Sequence, residues 1–291
     1  ALTPLARQAP GSGWDGRGLG VVAEGLSPGQ GASLFPAPAP DAVVLLVGKR
    51  GTGKSTLLKD LMYHMRHKLD FGLAMSPTEE CTNDLGSYLP PSCIYSDFAG
   101  DKVDALLEEQ RKAIKRGSGR RVFLLLDDCM YDKKILRGIN VRNLFMNGRH
   151  RHIFFINCQQ YVMDMPPDLR SQVDYVFVMR DNIRANKEKL WKFFFGVFPS
   201  FADFNTVMDN CTQNFECLVY NGKKSSTNLE ECVFWYKAEH KLPPFTLCRP
   251  VYSALHKRFY RDREDEEPAD PIIGSPRPCA RPPTLLVEKS T

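Results

Sequence analysis

Residues 48–55 read Gly48-Lys49-Arg50-Gly51-Thr52-Gly53-Lys54-Ser55, and they carry more information than any other segment of the chain. The apolar run 42–47 precedes them, and residues 56–62 have the pattern of a helix. The spacing G-x-x-x-x-G-K-[ST] between a strand and a helix is the signature of a P-loop, whose backbone N–H groups bind phosphate. The sequence therefore predicts a nucleoside triphosphate site.

Each residue type in this loop suits that chemistry. Glycine has no Cβ to obstruct the approach of a phosphate chain, so Gly48, Gly51 and Gly53 allow the backbone to close around it. Lys54 is expected to reach the β- and γ-phosphates, and the Ser55 hydroxyl to coordinate Mg²⁺. We expect ATP and Mg²⁺ to be bound by the loop residues Gly48, Lys49, Arg50, Gly51, Thr52, Gly53, Lys54 and Ser55, together with Thr56.

Composition narrows the class of protein. The chain has 291 residues, of which 43% are hydrophobic and 25% charged, as in ordinary globular proteins. Its apolar runs are too short to span a bilayer, and its first residues lack the pattern of a signal peptide. The nine cysteines include no C-x-x-C pair, which favours free thiols in a reducing compartment. We expect a soluble intracellular protein without a membrane segment.

The positive charge is concentrated in one segment. The net charge is +5, yet residues 111–152 alone hold twelve Lys and Arg against three Asp. Such a segment beside a nucleotide site is suited to binding the phosphates of ATP or of nucleic acid. A solvated helix face explains the same charges equally well, so the composition alone leaves both interpretations open.

The order of elements predicts an α/β domain. Residues 1–40, with six Pro and eight Gly, are interpreted as a disordered leader, 41–250 as the P-loop domain, and 251–291 as a largely disordered, charged and Pro-rich tail. A helix is expected over 133–147. Short apolar strands alternating with helices indicate a mainly parallel sheet with helices on its faces. Strands are expected near 42–47, 71–76, 93–96, 122–126, 153–156, 175–179, 215–220 and 233–236.

Two carboxylates follow the apolar strand 122–126, as in a Walker B motif. A carboxylate at the carboxyl end of such a strand lies beside the P-loop, where it can hold Mg²⁺. We assign that role to Asp127. Asp128 is the candidate to orient or deprotonate the attacking water. An Asp pair at a strand end is otherwise a common turn former.

Polar residues after strand 153–156 provide a candidate sensor of the γ-phosphate. Gln159 fits this role best, with Asn157 and Gln160 as alternatives, because an amide can donate to a phosphate oxygen and accept from water. Arg149, just before that strand, is a candidate for stabilising transition-state charge in a neighbouring subunit, and Arg170 is a second. A basic surface turn is the alternative for Arg149.

These motifs, taken together and in order, resemble those of the genome-packaging ATPases of nucleocytoplasmic large DNA viruses, within the FtsK–HerA superfamily. The resemblance covers roughly residues 41–250. It is carried by GKRGTGKS (48–55), SPTE (76–79), LLLDDC (124–129), LFMNGRH (144–150), FINCQQY (155–161), LRSQVDYVF (169–177), FFGVFPSF (194–201) and ECLVYNG (216–222).

The resemblance implies a RecA-like ASCE core that forms a homo-oligomeric ring and pulls double-stranded DNA into a capsid at the expense of ATP. It favours Gln159 as sensor and Arg149 as the residue that acts in trans. It further implies capsid or portal-vertex proteins as partners, in the virion or at a cytoplasmic assembly site. Asp128 departs from the pattern, since bacterial relatives usually carry Glu there.

Two other functions remain compatible with the residues. A nucleotide or small-molecule kinase uses the same P-loop, although no acceptor pocket or arginine-rich lid is evident and the Asp127-Asp128 pair suits water activation better. A virion protein that binds nucleotide without motor activity is the other, and intact Lys54, Asp127 and Asp128 argue against it.

Overall fold

A computed structural model describes residues 3–4, 38–129, 133–160, 165–224 and 226–260. Most of the predicted leader and the tail beyond Tyr260 lie outside the described residues. Within them, the strands are β1 Thr3–Pro4, β2 Val43–Val47, β3 Phe71–Met75, β4 Ile94–Tyr95, β5 Val122–Asp127, β6 Ile153–Gln159, β7 Tyr175–Val178, β8 Glu216–Asn221 and β9 Val233–Lys237. The helices are α1 Lys54–Met65, α2 Glu79–Gly86, α3 Gly100–Lys115, α4 Lys133–Arg137, α5 Ile139–Asn147, α6 Pro167–Arg170, α7 Arg184–Phe193, α8 Phe201–Cys211, α9 Leu229–Cys232 and α10 Pro250–Phe259.

The strands form one sheet in the order β1-β9-β8-β7-β2-β6-β5-β3-β4. The pairs from β7 through β4 are all parallel, whereas β8, β9 and β1 extend the sheet antiparallel. Strand β6 lies between β2, which leads into the P-loop, and β5, which carries the Walker B carboxylates. The predicted α/β architecture is therefore confirmed, and β6 is inserted between the two motif strands.

Helices cover both faces of the parallel strands. Val43, Leu45 and Val47 of β2 point to a core formed with α3, α5, α7 and α8, whereas Val44 and Leu46 point to a second core formed with α1 and α2. Parallel strands buried on both faces are apolar at every position, which is why they are recognisable as continuous runs. This packing holds the carboxyl ends of β2, β5 and β6 together at one edge of the sheet.

The aromatic residues between α7 and α8 belong to the core. Phe195, Phe198 and Phe204 are fully buried and pack against one another. This aromatic segment therefore serves packing. Cys129 and Cys158, at the ends of β5 and β6, are also buried.

Three elements differ from the sequence-based expectation by more than one residue. The helix predicted over 133–147 is two helices, α4 and α5, because Gly138 has an extended backbone between them. Strand β6 continues to Gln159 because its pairing with β2 extends to Val47. The first residues of the predicted tail form α10, which packs against the domain through Tyr252 stacked on Phe71.

None of the helices in the described ranges combines the length and the apolar character needed to cross a bilayer.

Candidate active site

The P-loop connects the end of β2 to the start of α1. Gly51 and Gly53 have φ of 76° and 92°, backbone conformations that glycine adopts without steric cost. A Cβ at Gly48 would lie 2.7 Å from Met179 Cγ, so the loop also needs glycine at its first position. The Gly48 N–H donates to the Gln159 carbonyl at 2.9 Å, which joins the loop to the end of β6.

Further contacts fix the shape of the loop. The Thr52 hydroxyl donates to the Lys49 carbonyl at 2.7 Å. Lys49 Nζ lies 2.9 Å from Asp181 Oδ1, which follows β7. Burial acts to raise the pKa of Asp181, but the Lys49 ammonium and two hydrogen-bond donors lower it below its ordinary value. The loop is thus anchored to both strands that flank β2.

Lys54, Asp127 and Asp128 meet at the carboxyl edge of the sheet, as predicted. Lys54 Nζ lies 2.7 Å from Asp128 Oδ1 and 3.6 Å from Asp127 Oδ1. Lys54 and Asp127 are buried, with 9% and 4% of their side chains exposed, whereas 17% of the Asp128 side chain is exposed. Asp128 has a φ of 52°, in the left-handed region, which costs a non-glycine residue conformational energy.

Burial governs the protonation of this cluster. It raises the pKa of the Asp127 carboxyl, and the Lys54 ammonium opposes that shift. Burial alone would lower the pKa of Lys54, but the neighbouring Cys158, Asp127 and Asp128 outweigh it and raise the pKa. Lys54 therefore stays charged, and the cluster keeps a cation between two carboxylates.

Asp127 and Ser55 supply the oxygen atoms that Mg²⁺ prefers. Asp127 Oδ1 is buried and has no hydrogen-bond partner among the described residues. Ser55 is exposed at the start of α1. A buried carboxylate oxygen that, within the described ranges, accepts no hydrogen bond and has only the Lys54 ammonium at 3.6 Å fits a metal-binding role, since a bound cation satisfies that oxygen. The thiol of Cys81, from α2, interacts with Asp127, and burial together with this carboxylate raises the thiol pKa to about 12.

The three amide candidates at the end of β6 have different surroundings. Gln160 Nε2 donates to Asp128 Oδ2 at 2.8 Å, so this side chain contacts the candidate base directly. Gln159 is 4% exposed, and its Nε2 has no partner among the described residues. Asn157 is likewise buried with both side-chain polar atoms unpaired there. Buried unpaired amides are uncommon in native proteins, and each is a candidate to bind a group outside the chain.

The candidate arginines lie elsewhere. Arg149 precedes β6 at the amino ends of the parallel strands, and the seven residues of that strand span roughly 20 Å. Its Nη2 contacts Asp174 Oδ1 at 2.6 Å, and Asp174 Oδ2 accepts from the Val43 N–H. Arg170 Nη1 donates to the Met165 carbonyl, and its guanidinium lies over a neighbouring aromatic ring. Neither arginine belongs to the Lys54 cluster of its own chain.

Part of the basic segment 111–152 is neutralised by acids outside it. Ion pairs join Arg111 to Glu108, Lys112 to Glu109, Arg142 to Asp168 and Arg149 to Asp174. The charges of this segment are therefore partly structural. Its exposed members include Arg137 and Arg142 on α4 and α5.

Sequence patterns missed two residues near the loop. Cys81 contacts Asp127 only because α2 packs beside α1, and no motif marks it. Phe215 lies against Gly53, and it was assigned only to a late strand. The one sequence signal that could have marked Phe215 is its position directly after Thr212-Gln213-Asn214, where the preceding helix ends.

Comparison with known proteins agrees with this geometry. The family described as "Poxvirus A32 protein" matches residues 39–192. An uncharacterised protein of Acanthamoeba polyphaga mimivirus is 30% identical over 230 residues, covering 76% of this chain and 80% of that protein. A protein of Frog virus 3 (isolate Goorha) is 36% identical over 199 residues, covering 68% of this chain and 62% of that protein.

The fold also matches a solved structure. The genome packaging NTPase B204 from Sulfolobus turreted icosahedral virus 2, in complex with AMPPCP, aligns with a TM-score of 0.51 and 18% identity. The alignment covers 69% of this chain and 100% of B204. At that level of identity the match establishes the fold, and it agrees with the predicted P-loop ATPase architecture.

Proposed function

The chain belongs to the poxvirus A32 protein family, and on that premise we propose that it is an ATP-hydrolysing motor that moves double-stranded DNA. Its task is to package a viral genome into a capsid. It acts in the virion or at a cytoplasmic assembly site, together with capsid or portal-vertex proteins. The observation that carries the proposal is the convergence of Lys54, Asp127 and Asp128 beside a glycine loop at one edge of a parallel sheet.

Each residue of the cluster has a separate role. Lys54, whose pKa is raised, stays charged and binds the β- and γ-phosphates. The N–H groups of residues 48–56 surround the phosphate chain. Asp128 orients the attacking water and accepts its proton, while Gln160 holds the Asp128 carboxylate in place at 2.8 Å.

Ser55 and Asp127 would hold Mg²⁺, which supplies positive charge that offsets the charge of the phosphate oxygens. Gln159 and Asn157 lie buried on the adjacent strand with unpaired amide groups. We assign the γ-phosphate sensor to Gln159, because its backbone carbonyl also binds Gly48 of the loop. That connection links the state of the nucleotide to strand β6.

The motor requires more than one subunit. Arg149 lies at the amino edge of the sheet, roughly 20 Å of strand away from its own P-loop, so any contact with nucleotide occurs in a neighbouring subunit. A head-to-tail ring brings the amino edge of one subunit to the carboxyl edge of the next. Arg149 is our candidate for this role and Arg170 the alternative. Exposed basic residues of 111–152 bind DNA through its phosphates, with little dependence on base sequence.

Phosphate release in the presence and absence of duplex DNA tests the proposal. We expect release that needs ATP and Mg²⁺, that rises several-fold with duplex DNA, and that falls by about 10³ in Asp128→Asn, as for loss of a general base. Asp101→Asn makes the same change at a carboxylate of α3 that is 73% exposed and lies outside the basic segment, and it serves as the matched control for folding and assembly. If duplex DNA left the rate of phosphate release by the assembled protein unchanged, the motor would be contradicted. Transfer of phosphate to an added nucleotide, without release into solution, would indicate a kinase.

A further inference from the structure

The turn between α8 and β8 displays an aromatic ring beside the P-loop. Asn214 and Phe215 have φ of 52° and 63°, so two consecutive non-glycine residues adopt the left-handed conformation. Such conformations are unfavourable and persist where the surroundings or the function require them. Phe215 is nonetheless 66% exposed, so its ring gains little from burial. Packing alone does not account for a strained turn that presents a ring to solvent.

The ring lies against the loop at a defined place. A Cβ built on Gly53 would lie 3.1 Å from Phe215 Cδ1 and 3.3 Å from its Cβ. Gly53 is the residue immediately before Lys54 and caps the start of α1. Phe215 therefore lies beside the part of the phosphate-binding loop that leads into α1.

A cavity opens at the start of α1, directly after the loop. It has a volume of about 360 Å³ and is lined by Ser55 and Thr56 of α1, by α2, and by Glu239 and His240 after β9. Glu216, the first residue of β8, pairs with Lys237, the last residue of β9. Phe215, just before β8, and Glu239, shortly after β9, therefore leave the sheet at the same end.

A buried carboxylate holds that wall against α1. Asp60, one turn after Thr56, is fully buried and accepts a hydrogen bond from the Tyr236 hydroxyl. Strand β9 is therefore attached to the P-loop helix next to the cavity. The hydrogen bond thus holds β9, which leads into this wall of the cavity, against α1.

We propose that Phe215 is the residue on which the base of the bound nucleotide stacks, with the nucleoside entering the cavity beside Thr56, Glu239 and His240. This assignment rests on the proposed ATP site and adds to it the residue that recognises the base. Every nucleobase has a π-face, so an aromatic platform binds bases with little discrimination among them. The site is then suited to nucleoside triphosphates as a class.

Equilibrium binding of ATP and of inorganic tripolyphosphate to Phe215→Gly tests the assignment. Glycine adopts a φ of 63° without strain, so this variant loses the ring while keeping the turn, and its melting temperature should equal or exceed that of the wild type. We expect ATP to bind about tenfold more weakly, the effect of one base–aromatic stack. Tripolyphosphate, which has no base, should bind within about twofold of the wild type by the same argument.

Two further variants sharpen the test. Phe215→Trp keeps a stacking face and should retain ATP affinity. Phe259→Ala removes an equally exposed ring, 69% exposed on α10, and should change neither affinity. In steady-state hydrolysis, Phe215→Gly should raise the KM for ATP by the same factor as the dissociation constant and leave kcat nearly unchanged.

The outcomes separate this inference from the proposed function. Unchanged ATP affinity in Phe215→Gly overturns the stacking role while leaving the ATPase intact. A parallel loss of ATP and tripolyphosphate affinity overturns it too, because the ring would then support the loop itself. A wild-type protein that binds no ATP overturns both the inference and the proposed function.

Discussion

Replacing Lys54 with Met should destabilise the protein before any nucleotide is added. Methionine keeps the apolar stem and removes the ammonium, so the change isolates the charge. It leaves Asp127, with 4% of its side chain exposed, without its nearest cation. Removing one partner of a buried ion pair costs 3–5 kcal/mol in other proteins. Because Asp128 retains 17% exposure and can turn toward water, we expect the lower end, about 3 kcal/mol.

The pH dependence of this loss follows from the carboxyl groups. Burial already raises the pKa of Asp127, and Lys54 opposes it, so the pKa rises further without Lys54. A carboxyl whose folded-state pKa exceeds its unfolded value, about 3.9, destabilises the fold increasingly as pH rises through the interval between the two values. The deficit of Lys54→Met should therefore be larger at pH 8 than at pH 5.

Urea unfolding and thermal unfolding, both followed by circular dichroism at the two pH values, measure this deficit. Lys112→Met is the matched control, because Lys112 pairs with Glu109 at 2.9 Å on the exposed face of α3. Loss of this exposed ion pair should not change the stability measurably. At pH 8 the melting temperature of Lys54→Met should fall by roughly 6–12 °C for a domain of this size. A Lys54 variant that unfolds like the Lys112 variant, or whose deficit is the same at both pH values, would refute the reasoning.

Two further predictions concern the elements that hold the site. Tyr236→Phe removes the hydroxyl bound to buried Asp60 and should lower the free energy of unfolding by about 2 kcal/mol, as for a hydrogen bond to a charged acceptor. The control Tyr220→Phe should leave the free energy of unfolding unchanged. Equal losses for the two variants in urea unfolding would contradict this prediction. Asp181 has a pKa lowered, despite burial, by Lys49 and two hydrogen-bond donors, so its contribution is fully present above the unfolded pKa of about 3.9 and is lost as pH falls through the lower folded-state pKa. Asp181→Asn should therefore be less stable than the wild type at pH 7, with a deficit that shrinks as pH falls below the unfolded value, and a deficit that stays constant down to pH 2 would count against that ion pair.

Much of the fold was predictable because it rests on local patterns. The parallel strands are continuous apolar runs, and the P-loop and the Asp127-Asp128 pair follow β2 and β5 directly. Parallel pairing then brings their carboxyl ends together without further information. The meeting of Lys54 with both carboxylates is a consequence of that rule.

What could not be predicted depends on contacts distant in sequence. Gln160 binds Asp128 because β6 extends further along β2 than its apolar run indicates. Arg149 pairs with Asp174, a residue with no pattern to mark it. Phe215 reaches Gly53 only through the antiparallel addition of β8 to the sheet. Register and strand order decide these contacts, and neither can be read from periodicity.

Displacement of a triplex-forming oligonucleotide from duplex DNA measures movement along DNA most directly. We predict displacement by the wild-type protein with ATP, none with a non-hydrolysable analogue, and none by Asp128→Asn even where that variant still binds ATP. ATP hydrolysis by a DNA-bound assembly that leaves the third strand in place would contradict the claim that this site drives a motor.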